Sequence, residues 1–394
     1  MSGAEWVVWG AVVALVVPYA LFPLIVACLP LRSRPAPPLP SPAPPVAVVL
    51  CVHNAEAQLG ARIENLLAQA YPGPLHLHIG LDGCSDGSAA LVERYQAQGH
   101  PVTAHVFERR GKVGVLEALV PQLASQHPLL AFTDVGTHWA SGTLAALVAA
   151  ITDAKVAVAT GVPAPAHEAT ATARLESRHL ALEARSRTLE VWLTGVLIGA
   201  FGPCYLVRSA ALPPTVRLSP LDDFSLALLA QTRGLGTVAP DARFHYTTGS
   251  HLASELRRKR RLGTGAGHLL RLHFWAVLRR SPVAALLLVL RRGLRWLTPF
   301  SVLVMGAALG VLVAQGAHVG YRWLLALWLC LVGLGVARYL DRKRRWPAWL
   351  GLPGYAVAMQ GALLAGWVDF LRGRSGRIWQ PSEREVPQAP PRQP

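Results

Sequence analysis

The sequence predicts a mainly parallel α/β domain, with helices on both faces of its sheet, carried on membrane helices at both ends of the chain. Two observations predict this. Between residues 46 and 242 short β-branched runs alternate with amphipathic stretches of helical period, as strand-helix-strand units do. Outside that region lie long runs almost free of charge, and 52% of the 394 residues are hydrophobic. A mean hydropathy of +0.34 is too apolar for a chain wholly in water.

Residues 6–29 carry no charge. At about 1.5 Å per residue a helix of that length exceeds the roughly 30 Å hydrocarbon core of a bilayer. Arg32 and Arg34 follow the run instead of preceding it, the reverse of a cleavable secretory leader, so the segment is expected to remain as an anchor with its C-terminal end inside. Residues 35–45 are proline-rich and predict an extended spacer. Val46–Val52 and residues 75–81 read as buried parallel strands with a helix over 57–70 between them. Leu129–Thr133 and residues 156–160 read as two more, each preceded by helical sequence, and in such sheets ligands sit beyond the carboxyl ends of the strands.

Residues 252–275 combine Arg and Lys with Leu, Phe and Trp, the make-up of a helix lying in the headgroup plane. Three further membrane segments are expected at 297–314, 321–340 and 349–371, whereas 283–290 is too short to span. The Pro- and Gln-rich tail 384–394 predicts disorder. The chain thus divides into an anchor (1–31), a linker (32–45), a cytoplasmic domain (46–250), basic interface helices (251–296), a C-terminal membrane region (297–371) and a tail (372–394). Three spans after a cytoplasmic domain place Arg372, Arg374 and Arg377 outside, against the usual charge bias. Either the last segment, broken by Pro353 and several glycines, is re-entrant, or that bias fails here.

The net charge of +16 first suggests nucleic acid. The basic residues, however, cluster at the edges of apolar runs, at 257–261, 279–280, 291–295 and 342–345, where anionic lipid on a cytoplasmic face attracts them. No zinc-finger, basic-zipper or aromatic RNA-binding pattern accompanies them, which argues against nucleic-acid binding. Trp192, Trp275 and Trp296 fall near the expected interfaces, where Trp is favoured for its amphipathic ring. Cys28, Cys51, Cys84, Cys204 and Cys330 are dispersed without CxxC spacing, as reduced cytoplasmic thiols are. The fourteen histidines show no HExxH spacing.

The polar candidates sit at predicted strand ends. The first strand runs into His53-Asn54-Ala55-Glu56 and the second into Asp82-Gly83-Cys84-Ser85-Asp86-Gly87-Ser88. Alone, the second tip reads as a turn whose Asp and Ser side chains bond local amides, and Arg109-Arg110-Gly111-Lys112 reads as a solvated basic loop. Asp134, ending the third strand, stands where a carboxylate can hold Mg²⁺ or Mn²⁺ together with phosphate oxygens.

In order and spacing these pieces resemble the family 2 glycosyltransferases with a GT-A fold, over about residues 46 to 265. Asn54-Ala55-Glu56 resembles the family's first Asn-Glu element, residues 82–88 its Asp-Gly-Ser-x-Asp-Gly-Thr, and Arg110-Gly111-Lys112 its Gly-Lys loop. Asp134-Val135-Gly136 takes the place of Asp-x-Asp, and Gly199-Ala200-Phe201-Gly202 with Tyr205 and Arg208 that of the acceptor-side glycine-rich segment. Leu221-Asp222-Asp223-Phe224 stands for Glu-Asp, and Arg258-Lys259-Arg260-Arg261-Leu262 for the Gln-x-x-Arg-Trp of processive members.

The resemblance implies an inverting transferase that takes a hexose or N-acetylhexosamine from a UDP-sugar and gives it to a lipid-linked or saccharide acceptor, in a multi-pass plasma-membrane protein surrounded by lipid. It implies that Asn54, Glu56, Asp82 and Asp86 bind the nucleotide, that Lys112, Arg258 and Arg261 meet the diphosphate, and that Asp134 holds Mg²⁺ or Mn²⁺. Asp223, beside Asp222, is then the general base that removes the acceptor proton. Four departures qualify this. Gly136 removes one metal carboxylate, Ala55 an acidic residue, and Asp222 shortens the usual Glu. Arg258 and Leu262 replace the Gln and Trp of the processive motif, and with the Trp goes an aromatic platform for the acceptor sugar. Three readings follow: a polysaccharide synthase like those of cellulose, hyaluronan and poly-N-acetylglucosamine, a non-processive transferase acting on polyprenyl phosphate or glycolipid, and a silent nucleotide-sugar-binding partner of a synthase. His245 is a further candidate metal neighbour, with a structural histidine as the alternative.

Overall fold

The structure, a computed structural model, describes residues 1–31, 37–164, 171–246, 252–341 and 348–374. Arg32, Arg34, the cluster 342–345, Arg377 and the tail 384–394 lie outside the described residues. Along the chain, α1 (Gly3–Val16) and α2 (Phe22–Cys28) are joined by a π-helical turn. Then come β1 (Val46–Val52), α3 (Glu56–Leu67), β2 (Leu75–Asp82), α4 (Ser88–Ala97), β3 (Val102–Phe107), α5 (Gly111–Gln126), β4 (Leu129–Thr133) and β5 (Thr137–Trp139). They are followed by α6 (Thr143–Ala150), β6 (Val156–Pro163), α7 (Ala171–Thr194), β7 (Tyr205–Arg208), α8 (Asp222–Ala230) and β8 (Leu235–Tyr246). The C-terminal helices are α9 (Leu252–Arg280), α10 (Pro282–Leu287), α11 (Leu294–Ala314), α12 (Gly320–Leu340) and α13 (Ala348–Leu371). Two compact units result: a helical one of Met1–Ile25, Ser250–Leu270 and Leu286–Gly376, and an α/β one built on Val26–Gly249 with Arg271–Ala285.

The α/β unit holds an eight-stranded sheet of order β3-β2-β1-β4-β7-β6-β8-β5. β1 pairs parallel with β2 and β4, β2 with β3, and β6 with β8. β7 runs antiparallel to β4 and β6, and β5 to β8. β1 is apolar throughout because both its faces are covered. Val46, Val48, Leu50 and Val52 belong to one core with Leu59, Ile63 and Leu66 of α3, which recur at helical spacing on one stripe. Ala47 and Val49 turn to the other core, with Val115, Leu116 and Leu119 of α5. Each fully buried aliphatic side chain contributes about 1.5–3 kcal/mol of transfer free energy. The spacer residues 37–45 carry no helix or strand, and the Tyr71 hydroxyl donates to the Pro44 carbonyl, so this stretch is tied to the domain at the start of β2.

In the helical unit, glycines let α9 and α13 approach closely. A Cβ on Gly366 would lie 2.0 Å from the Arg260 carbonyl oxygen, and one on Gly263 2.3 Å from that of Leu363. The Thr264 hydroxyl donates to the Gly366 carbonyl at 3.0 Å, and Arg260 grips Asp369 through Nε and Nη2 at 2.5 and 2.9 Å. With no side chain at the crossing the two backbones meet directly, and the Thr264 hydroxyl adds a bond across it. Gly263 and Gly267 therefore form a packing face on α13, beyond the basic amphipathic character that the sequence displays.

Three helices among the described residues are long and apolar enough to cross a membrane: Gly3–Cys28, Pro282–Ala314 and Gly320–Leu340. The second differs from expectation. Residues 283–290 do not stand apart as a short segment, and the arginines 291–295 do not stop the helix, which continues through a π-helical turn at Leu288–Gly293 into α11. The reason is that the cations are taken in. Arg291 is only 1% exposed, and Arg295 donates through Nε and Nη2 to the Pro18 carbonyl at 3.1 and 2.9 Å, within the π-helical turn Val17–Leu21 of the N-terminal apolar helix.

Helix and sheet approach closely in the α/β unit at Gly80, where an added Cβ would lie 2.5 Å from Val115 Cγ1. Gly80→Val is expected to cost about 1–3 kcal/mol by overpacking and to lower the thermal midpoint of the detergent-solubilised protein. Val115→Ala in the same chain should recover part of that loss; an unchanged midpoint for Gly80→Val contradicts the packing described.

Candidate active site

Parallel pairing in the register Val52 to Leu81 brings the tips of β1 and β2 to the same sheet edge. There the two motifs fasten each other. Asn54, in a left-handed conformation at φ 47°, accepts from the Ser85 amide at 2.8 Å and donates to the Ser85 hydroxyl at 3.1 Å. The Glu56 amide donates to Asp86 Oδ2 at 3.0 Å, and the Glu56 carboxylate accepts from the Gly87 amide at 2.9 Å. A side chain at 87 has no room, since a Cβ would sit 2.3 Å from Glu56 Oε1. Asn54, Glu56 and Asp86 thus form a reciprocal latch that holds the two tips in one shape.

Asp82 is 2% exposed and organises the next loop. Its Oδ1 accepts from the backbone amides of Arg110 and Gly111 at 2.7 and 3.0 Å, and the Arg109 guanidinium pairs with Oδ2. Gly83 and Gly111 take φ of +59° and +78°, conformations open to glycine at little cost. This fixes the start of α5, whose second residue is Lys112.

Lys112 joins two carboxylates from distant parts of the sequence. Its Nζ lies 2.9 Å from Asp134 Oδ1, at the end of β4, and 2.9 Å from Asp222 Oδ2, in the first turn of α8. Burial by itself disfavours the ammonium, but Asp134 and Asp222 outweigh it and hold the lysine above its ordinary pKa. Next to this bridge stands Asp223. Its Oδ1 accepts from the Phe224 amide at 3.0 Å, and Gly202 leaves space for its Oδ2, which an added Cβ would approach to 3.2 Å. Burial, then the charge of Asp222, raises the Asp223 pKa to about 6, so near neutrality the group is an ionised carboxylate of enhanced basicity.

The sequence places a divalent ion at Asp134. Gly136 offers no second carboxylate, and among the described residues no group of three His, Cys, Asp or Glu side chains converges. Mg²⁺ commonly takes one or two protein carboxylates and completes its octahedron with substrate phosphates and water. The residues present therefore fit an ion that arrives with a diphosphate, and do not fit an all-protein cage. His245 is exposed on β8, opposite His138 of β5. Arg258 and Arg261 lie on α9 in the helical unit, where Arg258 pairs with Glu255 at 2.8 Å.

Some polar groups escape sequence reasoning. Arg109 reads only as part of a basic loop, yet it pairs with Asp82. Arg187 carries no motif, yet it is 5% exposed. The histidines show no ligand spacing along the chain, but the sheet gathers His76, His78, His105 and His127, with His78 Nδ1 3.1 Å from His105 and its Nε2 3.2 Å from His127. The two His78 nitrogens face different neighbours, and burial with the surrounding imidazoles lowers its pKa to about 3. All five cysteines are free, and burial pushes the Cys51 thiol up to about 12, leaving it a protonated core group.

Comparison with known proteins places this architecture. No curated protein matches the chain. Among solved structures, a mannosyltransferase from Pyrobaculum calidifontis in complex with GDP-mannose and Mn²⁺ superposes with a TM-score of 0.64 at 20% identity, covering 94% of this chain and 99% of that one. S. aureus TarS residues 1–349 in complex with UDP-GlcNAc gives 0.43 at 13% identity, over 84% and 92% of the two chains. The first likeness establishes a GT-A-type fold. The model of the glycosyltransferase-like family 2 matches residues 43–265, more than half of the chain, so this protein belongs to the family 2 glycosyltransferases.

Proposed function

We propose that the protein is an inverting transferase that moves a sugar from a nucleotide-diphosphate donor, a UDP-hexose or UDP-N-acetylhexosamine, to a lipid-linked or saccharide acceptor at the cytoplasmic face of the plasma membrane. The observation that carries this reading is the placement of Asp223, a half-buried carboxylate of raised pKa, beside a lysine already bridging Asp134 and Asp222. Lys112 presents fixed positive charge for a diphosphate, and Asp223 accepts the proton of the acceptor hydroxyl as its oxygen attacks the anomeric carbon. One displacement with no enzyme nucleophile reverses the anomeric configuration. Mg²⁺ or Mn²⁺, bound by Asp134 with diphosphate oxygens and water, would stabilise the charge on the leaving nucleotide.

The latch of Asn54, Glu56 and Asp86 and the loop held by Asp82 shape the nucleotide pocket in this reading. Arg258 and Arg261 are proposed as diphosphate contacts on the resemblance alone. Apolar helices on either side of the catalytic domain in sequence suit an acceptor that is itself in lipid. The loss of the tryptophan at Leu262 favours single addition to polyprenyl phosphate or glycolipid as the second reading. A silent partner is disfavoured because Asp82, Lys112, Asp134 and Asp223 are all retained.

The test is transfer by the purified protein in nanodiscs, offered UDP- and GDP-sugars with Mg²⁺ or Mn²⁺, with product size measured. Asp223→Asn should lower kcat by roughly 10²–10⁴-fold while nucleotide binding stays near wild type. Because the Asp223 pKa is raised to about 6, the base is protonated below that pH, so wild-type kcat should fall about tenfold per pH unit on the acid side. Normal turnover by the Asp223→Asn variant, or lost nucleotide affinity with normal saturated turnover, refutes the assignment.

For the metal, Mn²⁺ followed by electron paramagnetic resonance should bind saturably when UDP or GDP is present and not to the free protein, as expected of a one-carboxylate site. Tight binding without nucleotide would show that the protein supplies a full ligand set.

A further inference from the structure

α7 buries a stripe of charge. Glu183, Arg187 and Glu190 recur at helical spacing on one face and are 8%, 5% and 0% exposed. Burying ions costs several kcal/mol each unless they are well paired, so their arrangement calls for a reason. Arg187 Nε donates to the Gly199 carbonyl at 2.8 Å, Nη1 lies 3.3 Å from Glu183 Oε2, and the guanidinium sits over the Phe201 ring, 3.6 Å from its centroid. One buried cation therefore holds two positions of the segment Gly199 to Gly202.

That same segment lies against the start of α8. A Cβ on Gly199 would lie 2.4 Å from the Phe224 ring, and one on Gly202 3.2 Å from Asp223 Oδ2. The glycines are spacers of zero thickness between Arg187 and the carboxylate. The segment therefore borders both the Phe224 ring and Asp223 with no side chain in between. We infer that Arg187 is a positioning residue for the glycosyl-transfer step, setting the orientation of Asp223 through the Gly199 to Gly202 segment. The inference rests on Asp223 being the general base. Other charged or titratable groups around Asp223 are Asp222 on its own helix, Lys112 of α5 and Tyr205 of β7, with Asp134 at the end of β4 on the far side of Lys112. Of the two cations that lower its pKa, Lys112 and Arg187, Lys112 is already shared by Asp134 and Asp222.

The variants Arg187→Met and Arg187→Lys, in the full chain in nanodiscs, test this, with nucleotide binding as the measure of folding. Arg187→Met removes charge, fork and stacking. It should lower kcat at least roughly tenfold with the donor KM within about twofold of wild type, and shift the acid limb of the kcat profile to higher pH. Arg187→Lys keeps the charge but not the planar fork, so the limb should return to the wild-type position while kcat stays below wild type. Wild-type kcat and limb in Arg187→Met overturn the inference, as does a variant that loses only thermal stability. If Arg187→Met does not fold, Arg187→Lys decides: reduced kcat at unchanged donor KM supports positioning, and wild-type kinetics refute it. A wild-type enzyme without an acid limb refutes the Asp223 base itself, which keeps the two failures apart.

Discussion

The candidate site depends on one bridge. Lys112 Nζ stands 2.9 Å from both Asp134 and Asp222, and each of the three arrives from a different part of the fold: the start of a helix, the end of a strand and the start of another helix. Without the ammonium two carboxylates would repel each other across a partly desolvated cleft, a penalty that low dielectric magnifies. With it, α5, β4 and α8 are drawn to one point, and Asp223 is placed by being the next residue to Asp222. Everything upstream serves that point. Asp82 fixes the loop that starts α5, and the latch between Asn54, Glu56 and Asp86 fixes the neighbouring tips.

Much of this is legible in the sequence where residues are local or strongly patterned. β1 and β4 are nearly continuous apolar runs and β2 an apolar run broken by two histidines, and their ends carry Asn54, Asp82 and Asp134, so the sheet edge follows from period and position. Asp222 and Asp223 are recognisable as a pair. The antiparallel β7, inserted between β4 and β6, is not legible, because four residues between loops carry too short a period to distinguish strand from turn. β8 pairs with β6 through two register shifts, which blur any simple alternation.

The individual bonds of the site are illegible for a different reason: they join residues far apart in the chain. Nothing in Arg109-Arg110-Gly111 announces that a carboxylate about 28 residues earlier will accept two of its amides. Arg187 stands in a helix full of charge, and only the fold shows which of those charges is buried. The helices long and apolar enough to span a membrane are mostly visible as apolar runs, yet the arginines at 291–295 mislead. A charge reads as a boundary until a partner such as the Pro18 carbonyl is seen to satisfy it.

In the proposed reaction Asp223 is the base for one direct displacement, with no covalent sugar on the enzyme. The measurement that tests this most directly is the anomeric configuration of the first product formed from an α-linked nucleotide sugar, read by proton NMR before any equilibration. A single displacement gives a β-linked product. An α-linked product would mean two displacements or a front-face path, and would contradict it.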